Sequence, residues 1–166
     1  MITKRMIARS AAVLVVGLAL FAAVAPVQAQ GEQYLELIRQ DLKTAKTAYM
    51  TEGMALTTEQ GNVFWPIYRE YQTDLAKIGD RRIANIKDYA EHYEALTGEK
   101  ASEIIKNSFK SRKDALSLLE KTAKKVSKEV DPVTAARFVQ VENTLNLLID
   151  LQLAGEIPLF KTGTEE

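Results

Sequence analysis

The chain has 166 residues, a length that suits one domain. It is 46% hydrophobic and 27% charged with a formal net charge of zero, which excludes general disorder and gives no electrostatic reason to bind nucleic acid. There is no cysteine and a single histidine, so thiolate metal sites and disulfides are excluded and imidazole chemistry has little to draw on.

Residues 1–29 read as a secretory signal peptide. Lys4, Arg5 and Arg9 precede an apolar run from Ala11 to Ala25, and Val27-Gln28-Ala29 places small residues where a signal peptidase cuts, after Ala29. The run is shorter than the ~20 residues that span a bilayer, so a cleaved leader is favoured over an anchor, and no integral span is expected afterwards. Removing those three cations from 22 basic residues leaves 19 against 22 acidic ones, a mature net charge of −3. An exported chain without disulfides is held by packing, oligomerisation or both.

The mature part, 30–160, reads as one helical domain, with 161–166 as a frayed tail. Tyr34, Leu35, Ile38, Leu42, Ala45 and Tyr49 recur at three- and four-residue spacings and predict a first helix from about Glu32 to Thr51, with Gly53 as its stop. Leu56-Thr57-Thr58-Glu59-Gln60 follows. Thr57 and Gln60 have the spacing of a capping box, which fixes the start of a second helix. Thr57 is expected to contribute more than Gln60, because Gln60 supplies only the reciprocal bond. Advancing about 100° per residue, Phe64, Tyr68, Tyr71, Leu75, Ile78, Ile86, Tyr89 and Tyr93 stay within about 40° of one line, so one helix to about Leu96 is predicted, kinked at Pro66. Thr97 caps a third helix whose apolar face reads Ala101, Ile104, Ile105, Ala115, Leu116, Leu119, Ala123, Val126 and Val130. Asp131-Pro132, a capping carboxylate before a proline, starts a fourth helix carrying Phe138, Val141, Leu145, Leu148 and Ile149. Ile157 to Phe160 forms an apolar tail that folds back. No segment alternates as a strand does, so the expectation is all-α: about four helices in elongated antiparallel hairpins.

The Leu56, Thr57 and Gln60 pattern, on an exported, cysteine-free helical chain of this size, resembles the Spy/CpxP-like LTxxQ-motif family of periplasmic proteins. A second copy of the family's motif would fall at Val130 to Thr134, where only the cap Asp131 and the proline Pro132 are kept. The resemblance implies a periplasmic protein that forms a bent helical hairpin and a homodimeric cradle. It implies a non-enzymatic chaperone or envelope-stress accessory protein binding polypeptide clients. Alternatively it implies a signalling module that binds a membrane sensor's periplasmic domain, in some members metal-responsive.

Enzyme signatures are missing from the sequence: there is no nucleophile with a base in reach and no glycine-rich phosphate loop. No cofactor is expected. His92 lacks the imidazole or thiolate company that transition metals favour, so no metal site is assigned to it. The aromatic stripe is core by default. Its tyrosines, however, each carry a hydroxyl that prefers a wet edge, and this favours a polypeptide-binding surface formed by Phe64, Tyr68, Tyr71, Tyr89 and Tyr93. Arg82 and Arg112 each lie 15 residues from Thr97, on the apolar stripes of the second and third helices. In an antiparallel hairpin they meet at one level with no acidic partner on either stripe. They then either snorkel to a solvated edge or belong to the same open binding surface.

Overall fold

The computed structural model describes residues 44–160. The expected signal peptide, most of the expected first helix and residues 161–166 lie outside the described residues. The chain divides into two units at Glu52 and Gly53, and the second unit carries the helices discussed below. Every regular element among the described residues is helical, so the fold is all-α.

Residues 44–54 are helical and belong to α1. Gly53, the expected stop, lies inside this helix. The chain turns out of it at Ala55, whose φ of 46° is left-handed. Gly53 answers a packing need instead: a Cβ there would come within 2.9 Å of Val141 Cγ2.

Helix α2 spans Thr58–His92 and runs through Pro66 without a break. Its capping box is complete. The Gln60 amide N–H donates to Thr57 Oγ1 at 3.2 Å, and the Thr57 N–H donates to Gln60 Oε1 at 3.1 Å. Gln60 does more than the sequence suggests. Its Nε2 donates to Asp131 Oδ2 at 3.1 Å and to Thr134 Oγ1 at 3.3 Å, tying the start of α2 to the cap of a helix 71 residues away. After α2 a 3-10 turn, Tyr93–Ala95, replaces the last helical turn expected from the sequence.

Helix α3 spans Gly98–Glu129, with the Thr97 side chain accepting the Lys100 N–H. Helix α4 spans Pro132–Glu156. Its cap, Asp131, accepts the Thr134 N–H at 2.8 Å and the Thr134 hydroxyl at 2.6 Å. These bonds, with that from Gln60, hold the Asp131 carboxyl below its usual range.

Cross-helix pairs give the directions. Lys125 with Glu70, Arg81 with Asp114 and Lys100 with Asp88 run in opposite senses along α2 and α3, an antiparallel hairpin. Gln60 with Asp131, Tyr71 with Glu142, Arg82 with Asp150 and Tyr89 with Pro158 keep separations of 68 to 71 residues. A nearly constant offset means that α4 runs parallel to α2.

The core sits toward the capped ends. Phe138 of α4 inserts among Phe64, Tyr68 and Tyr71, with ring centroids 5.4 to 6.3 Å away and steep interplanar angles. Met54, Ile67, Leu119, Val126 and Ala135 are also buried. The aromatic stripe of α2 is therefore interior, not the wet face favoured by its tyrosines. The sequence argument misses that other elements bring acceptors. Tyr71 donates its hydroxyl to the buried Glu142 carboxylate at 3.0 Å, and Tyr89 donates to the Pro158 carbonyl at 3.0 Å. Burial, then the Glu142 charge, pushes the Tyr71 phenol far above its usual range.

Candidate polypeptide-binding surface

The residues singled out by sequence separate into three groups. Thr57, Gln60 and Asp131 are joined by hydrogen bonds at the starts of α2 and α4, and Leu56 and Pro132 are their chain neighbours there. Phe64, Tyr68, Tyr71 and Tyr89 are at most 5% exposed and offer nothing to a ligand. Tyr93 is half-buried against the Tyr89 ring, and Phe160 packs on the same ring at 4.7 Å, so the apolar tail does fold back.

The two arginines do not meet. Arg82 bonds to Asp150 of α4 at 2.7 Å, a partner invisible when only the α2 and α3 stripes are compared. Arg112 is exposed on the outer side of α3. The inner face of α3 is also rotated from the expected one. Ile104, Ser111, Leu119, Thr122 and Val126 are buried, and two of those five are small hydroxyl residues. Ile105 and Leu116, expected inside, are exposed.

Among the large apolar side chains left in solvent is a line on α3 that joins Ile105 and Leu116, expected in the core, to Phe109, which the sequence reading did not single out. Ile105, Phe109 and Leu116 are 46%, 69% and 67% exposed. With Arg112 they follow 4-3-4 spacing and fall within about 60° of one another on the helix. The spacing was legible in the sequence, but not that only the C-terminal part of the line, with Leu119 and Val126, is covered. Leu147 and Leu151 form a second exposed pair, on α4. Both sets lie in the part of the bundle away from the caps. There Leu75, Ile78, Ile83 and Ile86 are only half-buried, and the Arg82–Asp150 pair is partly exposed.

His92 lies beside Asp88 and Glu91, with ligand-capable atoms within 4.8 Å of one another. Asp88 is already engaged by the Lys100 ammonium at 3.2 Å, and His92 Nδ1 rests 2.8 Å from the Asp88 carbonyl oxygen. The nearby Asp88 and Glu103 carboxylates in turn raise the Lys100 pKa, Glu103 contributing most. No helix among the described residues is long and apolar enough to cross a membrane. The chain matches no protein family, no curated protein and no solved structure.

Proposed function

We propose that the mature chain is a periplasmic, non-enzymatic helical protein that binds polypeptides, as a chaperone or an envelope-stress accessory. One observation carries this reading: a chain with a tightly packed aromatic core nonetheless leaves Ile105, Phe109 and Leu116 in line on the outside of α3. Large apolar side chains held in water at helical spacing suit the capture of apolar segments from another chain. The test is light scattering of an aggregating unfolded client with the mature chain from Gln30. The expected result is suppression by the parent and loss of suppression in the Phe109→Ser, Leu116→Ser double variant at unchanged helicity. Suppression that survives the double variant refutes this surface, and a parent without suppression refutes the chaperone role.

A second reading, a module that binds the periplasmic domain of a membrane sensor and responds to metal, draws on the Asp88, Glu91 and His92 group. Sub-micromolar zinc binding by calorimetry, lost in His92→Ala, supports it. Binding unaffected by that substitution refutes it.

A further inference from the structure

We propose that the N-terminal half of α3 is a docking face for an acidic amphipathic helix. This rests on the polypeptide-binding reading and adds the chemistry of the partner.

The seam comes first. Ile105, Phe109, Arg112, Leu116, Leu119, Ala123, Val126 and Val130 repeat at 4-3-4-3-4-3-4, an unbroken heptad pattern. Its C-terminal half is covered: Leu119 and Val126 are buried, and Ala123 and Val130 half-buried. Its N-terminal half has the same spacing and no cover. A helix laid there continues a packing mode that α3 already uses lower down.

Charge then selects the partner. Helix α3 carries nine lysines and arginines against five carboxylates, while α2 has five against six and α4 one against three. Neighbouring cations are spoken for: Lys100 bonds Glu103 and Asp88, and Lys110 bonds Asp114. Lys106 and Lys113, on one flank of the seam, and Arg112 within it are exposed and have no carboxylate partner among the described residues. A partner with Asp or Glu along its flanks neutralises all three. A second copy of this face would set these cations against their own images. An anionic membrane fits less well, because the stripe is about 60° wide where interfacial helices present about 100° or more, and Arg112 stands in the seam, not on its rim. In a helix–helix seam, a single charged residue at such a position selects its partner and register.

Fluorescence anisotropy of two synthetic helical peptides, each about three heptads long with leucine along the seam, tests the proposal on the mature chain. One peptide carries glutamate on its flanks, the other lysine. The glutamate peptide is expected to bind at least about tenfold more tightly, with the preference fading at high salt. Arg112→Glu should erase or reverse the preference, and Phe109→Ser should weaken both peptides, each with an unchanged thermal melt. Equal binding of the two peptides, or a preference untouched by Arg112→Glu, overturns the proposal. So does Phe109-dependent binding to phosphatidylglycerol vesicles without discrimination between the peptides. If that discrimination is missing while client aggregation is still suppressed through Phe109 and Leu116, the acidic-helix assignment falls and the broader function stands. If suppression is missing as well, both fall.

Discussion

Replacing Gln60 with alanine removes three hydrogen bonds at once: the reciprocal capping bond to the Thr57 N–H, and the two bonds from Nε2 to Asp131 and Thr134. An intramolecular hydrogen bond contributes about 0.5–1.5 kcal/mol net, and these range from exposed to part-buried, so the lower half of that range applies and Gln60→Ala should cost about 2 kcal/mol. Thr57→Ala removes one acceptor and should cost about 1 kcal/mol. This order reverses the one expected from the motif alone. Urea denaturation followed by circular dichroism measures both, and the midpoint for Gln60→Ala should fall about twice as far as that for Thr57→Ala. A Thr57→Ala loss equal to or larger than the Gln60→Ala loss would show that the bonds from α2 to the α4 cap contribute nothing, and the reasoning fails. Gln60→Glu sharpens the test. It keeps an acceptor for Thr57 but sets a carboxylate against Asp131. It should be less stable than Gln60→Ala at neutral pH, and the gap should narrow on acidification as the raised carboxyl takes up a proton.

Three further substitutions bear on the fold. Ala55→Gly should stabilise the chain by about 1 kcal/mol in the same assay, because a residue without Cβ adopts the φ of 46° at no steric cost. Gly79→Ala should add about 0.5–1 kcal/mol, since a Cβ at this helical position meets nothing within 4 Å and alanine loses less backbone entropy. Asp131→Asn tests the depressed carboxyl. A carboxyl whose folded pKa lies below the ordinary 3.8 adds stability above 3.8 and loses it as pH falls through the folded value. The parent should therefore exceed Asp131→Asn at pH 7, and the difference in thermal midpoint should close below pH 3.8. A constant difference across pH would contradict the assignment.

The helix starts were legible because they are local. Thr57 with Gln60, Thr97, and Asp131 before Pro132 each satisfy their first-turn amides within three residues, and such chemistry can be read without knowing the fold. Periodicity also found the residues that line α2. It could not say which neighbour they face. The partners of Gln60, Tyr71 and Arg82 all lie on α4, about 70 residues on, and nothing in the spacing of either segment announces the pairing. That one omission accounts for three differences: the tyrosines assigned to water, Arg82 left without its Asp150 partner, and the weight given to Thr57 over Gln60. The rotation of α3 has another cause. Ser111 and Thr122 are buried on the inner face of α3, and a reading that searches for apolar residues passes over them in favour of Ile105 and Leu116.

The parallel run of α4 beside α2 has a kinetic consequence. The α2–α3 hairpin can zip from the turn near Thr97, where Asp88 and Lys100 are 12 residues apart, at small loop-closure cost. The α2–α4 contacts close only after the chain has gone out along α3 and returned, so they carry the larger loop-closure cost, and late docking of α4 with early release in sub-global opening is the expected behaviour. When α4 lifts away, Phe138 leaves the ring cluster and Tyr71 loses the Glu142 carboxylate, so the aromatic line hidden in the native state comes to light. Amide protons of α4 should accordingly exchange ahead of those in the middle of α2, and the bonds from Gln60 to Asp131 and Thr134 act as the latch that sets how often this happens.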